Sequence, residues 1–525
     1  MTKPTAEQLL KRASKAWERK ASWDDTCRDA YKFALPQRDL YDNPRPGQVK
    51  GDEVFDATAV TSTARFANRM QSGLTPPFRK WARLEPGPLV PPDRTDELTK
   101  DLETITEKLF AILDISNFNT AINEFYLDLC VGTAVMFVED GDDETPVYFH
   151  AAPQIQVALE EGPRGRVDGV FRKHKMAARN IAEQWRDAAL PGALAEKAKN
   201  DADAEIELTE ATFYDSDKGV YFYDVLWPEG KESILKSRRV YHENPWIVTR
   251  WIKAANEVQG RGPLLYALPD IKTLNKLVEL ILKNASLDVS GVFTAVDDGV
   301  VNPHHVRFVP GAVIPVGQNG GSRGPSLMPL PRSGNFDVAQ LEREDLRMGI
   351  KKALFDNTLP RDAGAVRSAT EIMERTRELA DDIGAAFGRL MSELVQPLLQ
   401  RVLGIMFRKG LIETEVKITG SLVKARVLSP LALLQNTEEV KAVFDWLQLI
   451  SVMGPEMMML GCKVEDVPSW SGRKLGVPED LIRSQTERAK IQQQVARIMA
   501  LQAQAQNPAG AAAMAGTGGA PEETP

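Results

Sequence analysis

The sequence predicts a mixed α/β, helix-rich chain, and three observations carry that expectation. Helical periodicity with capping signals recurs along the 525 residues, and short β-branched and aromatic runs cluster in about 147–252. Proline- and glycine-rich breakers separate these blocks. The length predicts two to four domains at about 150 residues each. With 43% hydrophobic and 26% charged residues, wholesale disorder and fibrous repeats are excluded.

The elements follow in order. Thr5-x-x-Gln8 is a capping box opening a helix over about 6–34, with Leu9, Leu10, Ala13, Ala16 and Trp17 on one face and Pro36 ending it. Tyr41–Asp52 reads as loop, then a helix covers about 55–73 and a strand lies around Trp81–Glu85. Helices follow at about 95–114 and 118–131, then a strand at Thr133–Glu139. Strand signals recur at Val147–His150, Gln154–Leu159, Gly169–Lys173, Glu205–Tyr214, Val220–Leu226 and Trp246–Trp251, around a helical stretch near 176–199. They predict a mainly antiparallel sheet.

After Gly260-Arg-Gly-Pro263 a helix over about 264–288 carries a narrow seam of Ile271, Leu274, Val278, Ile281 and Ala285, with Asp270, Lys272, Lys276, Glu279 and Lys283 left wet. Residues 291–335 hold two short strands, Gly291–Ala295 and Val306–Val316, and a flexible patch Gly317–Pro325. A highly charged helix spans about 337–354, followed by the loop Asp356–Arg367. The longest helix opens at the capping box Ser368-Ala-Thr-Glu371, runs to about Lys409 and should kink at Pro397. Thr414–Leu428 alternates as a strand, Ser429-Pro-Leu-Ala432 opens a helix of about 431–453, and a polar helix covers about 478–506. Asn507–Pro525 has almost no bulky residues and should be disordered.

Charge and chemistry narrow the function. The 65 basic and 73 acidic side chains give a net charge of −8, whereas a protein gripping DNA through phosphate neutralisation carries a basic excess. Any contact with nucleic acid is therefore local or weak. No apolar run approaches the roughly 18 residues of a membrane span, so no membrane partner is expected. The polar start and the scattered Cys27, Cys130 and Cys462, without zinc or disulfide spacing, predict a reducing cytoplasm and inert core thiols.

Catalytic and ligand motifs fail on context. Gly320-Gly-Ser-Arg-Gly324 matches the nucleophile-elbow pattern, but Pro325 follows and no helix does, so Ser322 sits in a loop. No phosphate-cradling glycine motif occurs. Asp140-Gly-Asp-Asp-Glu144 lacks the glycine and closing glutamate of a calcium loop and reads as an acidic hairpin turn. His304-His305 would point to opposite strand faces and share no metal. No cofactor, metal site or catalytic residue is expected. The charged helix 337–354 has two readings, a solvated face or the wall of a wet channel whose neighbours pack through apolar seams.

Several segments resemble the portal, or head-to-tail connector, proteins of short-tailed, podovirus-type DNA phages. They are Trp246-Ile-Val-Thr-Arg-Trp251 with Val258-Gln-Gly-Arg-Gly-Pro-Leu-Leu-Tyr-Ala-Leu-Pro-Asp-Ile-Lys-Thr-Leu-Asn275, Ala64-Arg-Phe-Ala-Asn-Arg-Met-Gln-Ser-Gly-Leu-Thr-Pro76 with Trp81, and Leu129-Cys-Val-Gly-Thr-Ala-Val-Met-Phe-Val138. Ala369-Thr-Glu-Ile-Met-Glu-Arg375 and Ser429-Pro-Leu-Ala432 add to them, in the family's order, over roughly 1–450. The resemblance implies a portal-type fold: wing 1–263, stem helices 264–288 and 337–354 around clip 289–336, and tunnel loop 355–367. A wing helix and strand at 368–429, crown 430–506 and disordered tail 507–525 complete it.

It further implies a non-enzymatic ring of about twelve subunits at one capsid vertex, through which double-stranded DNA is packaged and ejected. The expected partners are major capsid and scaffolding proteins, the large terminase, a tail adaptor and the DNA. Assembly would occur in the host bacterial cytoplasm and the product would reside in the virion. About twelve copies at −8 carry roughly −96, which keeps the duplex off the wall, while Arg343, Arg347, Lys351, Lys352, Arg361 and Arg367 are candidates for local phosphate contact. The alternatives are a soluble hydrolase acting through Ser322 and a cytoplasmic adaptor without a DNA role.

Overall fold

The computed structural model describes residues 4–290 apart from 43, 44 and 46, then 293–295, 327–329, 336–356 and, with interruptions, 384–498. The chain divides into two units, Met1–Phe78 with Lys108–Lys417, and Arg79–Glu107 with Ile418–Pro525. The segment 79–107, which the resemblance puts in the wing, thus groups with the C-terminal part.

In the first unit, α1 (Ala6–Ala34) starts at the expected capping box: the Gln8 amide N–H donates to Thr5 Oγ1 at 3.3 Å and the Thr5 N–H to Gln8 Oε1 at 2.9 Å. Its Leu9, Ala13 and Ala16 bury against Phe171, Phe213 and Phe222 of a six-stranded antiparallel sheet. That sheet runs Val157–Glu161, Val167–Ala177, Glu205–Asp215, Val220–Trp227 and Glu232–Ser233, with Arg239–Tyr241 also on Val220–Trp227. A second antiparallel sheet orders Trp246–Arg250, Thr133–Asp140 and Val147–Ala152. Phe137, Tyr223 and Trp246 from the two sheets share one core.

The helices of this unit include α2 (Thr58–Leu74), the last residues, 108–115, of α3 (Pro92–Ile115), whose first part belongs to the second unit, and α4 (Phe118–Val131). The expected helix near 176–199 is two helices, α5 (Ala178–Gln184) and α6 (Gly192–Asn200). Pro191 interrupts the helical pattern between them, and Met176 and Ala177 belong to the preceding strand. The expected strand from Gln154 starts only at Val157, because Pro153 opens a 3-10 turn over Gln154–Gln156. Then come α7 (Pro263–Ser290) and α8 (Phe336–Ala353). Phe293–Ala295 pairs with Leu327–Pro329, a strand the sequence reading does not contain. The expected strand Val306–Val316, His304-His305, Ser322 and its loop, Arg361, Arg367, the Ser368 capping box and the tail lie outside the described residues.

The expected helix from Ser368 to about Lys409 falls among the described residues from 384 onward. Met391–Val395 forms a π turn that leads into α9 (Gln396–Arg408). The irregularity thus lies just before Pro397, whose missing N–H leaves the Glu393 carbonyl without its ordinary helical donor. Thr249 Oγ1 donates to that carbonyl instead, at 3.2 Å.

In the second unit, Ala82–Pro86 pairs antiparallel with Val423–Val427. The expected strand Thr414–Leu428 is cut to this short piece because Gly420 turns the chain at φ +76°, its N–H donating to the Val423 carbonyl at 2.9 Å. Helices α10 (Pro430–Ser451) and α11 (Val467–Leu475) follow, the second where the sequence reading has only a connection. Most of the expected helix 478–506 is outside the described residues or broken by gaps.

Candidate channel segment and its anchors

Helices α7 and α8 pack on each other, and α7 also packs on α1 and α4. Of the α7 seam, Ile271 and Leu274 are buried and Val278, Ile281 and Ala285 half-buried. Its expected wet cations are held within the subunit: Lys276 and Lys283 meet Glu279 at 2.9 and 2.5 Å, and Lys272 meets Asp29 at 2.6 Å. Asn275 locks the helix to the loop before α2. Its Oδ1 accepts the Phe55 and Asp56 N–H groups at 2.7 and 3.3 Å, and its Nδ2 donates to the Glu53 carbonyl at 2.7 Å.

The same loop holds α8. Arg347 donates from Nη2 and Nε to Asp56 Oδ2 at 2.7 and 3.0 Å and from Nη1 to Glu344 at 3.1 Å. Burial pushes the Asp56 carboxyl up, but hydrogen bonds from Thr58 and Arg347 outweigh it and hold the group below its ordinary range. Arg347 is therefore a tie within the subunit, not a free cation. Arg343 stands 3.4 Å from Glu344. Lys351 and Lys352 lie in the last turn of α8, where the helix dipole favours positive charge. Among the described residues no carboxylate lies within ion-pair distance of either lysine.

The end of α8 is pinned. The Asp356 N–H donates to the Lys351 carbonyl at 2.7 Å, and the intervening Phe355 sits at φ +55°, in the left-handed region. The Phe355 ring lies 6.2 Å from Phe66 and 5.9 Å from Trp251, and the Arg69 guanidinium donates to the Phe355 carbonyl. Asp356 is buried. Its Oδ2 accepts from Ser62 Oγ and from Arg65 Nη1, both at 2.9 Å.

Two of the quoted sequence segments cross next to this pin. The Trp251 N–H donates to the Gly132 carbonyl at 2.8 Å, the Gly262 N–H to the Val131 carbonyl at 2.9 Å, and the Gly260 N–H to Thr133 Oγ1 at 2.7 Å. A Cβ at Gly132 would stand 2.1 Å from the Gly260 carbonyl oxygen, and one at Gly262 would stand 2.2 Å from that of Cys130. The glycines are what permit the crossing.

Sequence reasoning put four described cations on one helix but did not find Asp56, Asn275, Ser62 or Asp356. Nothing in a linear pattern pairs Ser62 or Arg65 with a position nearly three hundred residues away. Elsewhere, Asp142 Oδ1 accepts the Glu144 and Thr145 N–H groups at 3.0 and 2.6 Å, closing the acidic hairpin turn. Cys27 and Cys130 are buried and Cys462 half-buried, so the core-thiol expectation fits only the first two. Burial pushes the Cys27 thiol up to about 11, with Lys20 opposing the shift.

A family model described as bacteriophage head to tail connecting protein matches residues 6–482. The chain belongs to that family. A "Probable portal protein" of Bordetella phage BPP-1 is 23% identical over 425 residues, covering 75% of this chain and 73% of the relative. The "Portal protein" of Salmonella phage epsilon15 is 24% identical over 434 residues, covering 78% and 76%. A chain of the solved "Virion of native gene transfer agent (GTA) particle" is 12% identical, with 81% of this chain and 90% of that one covered; its TM-score of 0.33 adds nothing to the assignment. The portal resemblance read from the sequence is thereby borne out, and neither the hydrolase nor the adaptor alternative gains support.

Proposed function

We propose that this chain forms a ring of about twelve copies whose central channel passes double-stranded DNA during packaging and ejection. Besides family membership, the observation that carries the reading is the uncovered apolar surface of the paired helices. On α7, Tyr266, Leu280 and Leu282 are exposed, as are Leu341 and Met348 on α8. A neighbouring copy is the natural cover for these side chains, since water disfavours a cluster of exposed apolar surface.

In this reading, 1–263 is the wing, 264–288 and 337–354 are the stem, 289–336 is the clip, 355–367 the tunnel loop, 368–429 the wing helix and strand, and 430–506 the crown. Lys351, Lys352 and Arg343 remain candidates for phosphate contact on α8, with Arg361 and Arg367 in the loop beyond it. Arg347 is assigned to holding α8. The partners are major capsid and scaffolding proteins, the large terminase and a tail adaptor, and the ring sits at one vertex of a virion assembled in the host cytoplasm. The chain performs no catalysis.

Light scattering with negative-stain imaging of the same peak tests the ring. A mass near twelve subunits with a central hole is expected. A species that stays monomeric across assembly conditions would overturn the reading.

A further inference from the structure

The pin at the end of α8 is more elaborate than stopping a helix requires. Helices commonly end on glycine or asparagine in the left-handed conformation, with solvent taking the last carbonyls. Here a phenylalanine takes that conformation, and a buried carboxylate follows it. Both features cost stability unless the surroundings compensate. Compensation comes from one face of α2, where Ser62, Arg65, Phe66 and Arg69 recur at helical spacing. Three of them donate to Asp356 or to the Phe355 carbonyl, and Phe66 meets the Phe355 ring together with Trp251. Arg65, Phe66, Arg69 and Trp251 all belong to the sequence segments quoted above and converge on two residues.

We propose that Asp356 is a positioning residue. The socket of α2 and Trp251 grips Phe355 and Asp356 so that force on the chain beyond residue 356 is delivered to α2 rather than to α8. The Arg347–Asp56 tie lies nine residues earlier, about 9 Å along the helix from its last residue, Ala353. α8 is therefore held at two points, and the Asp356 grip is the one adjoining the chain that the proposed function puts next to moving DNA. The inference rests on the portal reading.

The charge on Asp356 is central to the test. Asp356→Asn keeps the shape and an acceptor for Ser62 while removing the ion pair, and Arg65→Gln removes it from the other, half-exposed side. Each variant is supplied as full-length protein to particles lacking their own copy, and filled particles are counted with a full-length and a shortened genome. Failure of the wild-type chain to form rings or support packaging would overturn the portal reading itself. With wild type active, both variants should form rings of unchanged mass and fill normally with the shortened genome. They should give about tenfold or more fewer filled particles with the full-length genome, when internal force is highest. Arg65→Lys should recover most of that loss. Wild-type yield at both lengths would overturn the proposal. So would an equal loss at both lengths with a lowered melting temperature, which marks a merely structural role. Should Asp356→Asn fail to fold, the comparison of Arg65→Gln with Arg65→Lys decides alone.

Discussion

At the scale of single residues, buried groups with unusual proton affinities set the response to acid. Burial pushes the His150 imidazole down to about 4, and the nearby cations Arg172, His174 and Arg38 act in the same direction. Burial also lowers His174, partly offset by Glu210 at 3.4 Å. A histidine depressed in the folded state stays neutral where the unfolded chain already binds a proton. Its neutral packing therefore supports the fold fully above about pH 6.5, and that support is lost as pH falls towards 4. Denaturant titrations at pH 7 and pH 4.5 should differ by about 2 kcal/mol through His150 alone. His150→Asn should flatten the slope over that window, and an unchanged slope would exclude His150 as its source. Residues of this kind were not legible in the sequence, where His150 is only one polar position in a strand signal. The glycines at 132, 260 and 262 stood inside quoted segments, but only the backbone crossing shows why a side chain is excluded there.

At the scale of elements, the π turn before Pro397 is the clearest case of one segment completing another. Proline removes a donor, the turn loosens the helix, and the Thr249 hydroxyl from the three-stranded sheet takes over. The Glu393 side chain then returns the contact, accepting from the Arg250 N–H at 2.9 Å and from Arg250 Nη2 at 2.7 Å. Thr249→Val leaves the Glu393 carbonyl short of a donor and should cost about 1–2 kcal/mol. In a Pro397→Ala background the restored N–H should shrink that cost, so a thermal-melt double-mutant cycle should show coupling between two positions far apart in sequence. Additive effects would mean that Thr249 is not the replacement donor. The proline signalled a break from sequence alone. The π turn did not, because it depends on a hydroxyl arriving from another element. Periodicity placed α1, α2, α4, α7 and α8 to within a few residues, and capping at Thr5 held at atomic detail. It failed over 414–422, where alternation persisted through a turn that Gly420 imposes.

For the whole molecule, assembly should depend on side chains that do nothing for the isolated subunit. Leu282 is 53% exposed on α7, so Leu282→Lys leaves the described core untouched. The variant should keep its circular dichroism and its melting cooperativity yet run as a monomer in light scattering, with ring formation reduced at least about tenfold. A normal ring would show that α7 does not meet its neighbour through Leu282. This level of organisation was legible only through resemblance. Composition excluded a phosphate-gripping protein and a membrane span, but the order of several non-catalytic segments is what indicated a connector. Residues 289–336 offered no pattern that points to a partner, and the loop after Asp356 offered only Arg361 and Arg367 as candidates for phosphate contact.

The second unit is assembled from pieces made at very different times. Strand Ala82–Pro86 finds its partner, Val423–Val427, more than three hundred residues later in the chain. At a ribosomal rate of about 5–20 residues per second, that edge waits roughly 17–68 s without its mate. During synthesis it is an open template for unrelated strands. Yield in the cell should therefore depend on the pace of translation between the two pieces. Slowing elongation between the two pieces should send more of the chain into aggregates, even though the finished fold is unchanged.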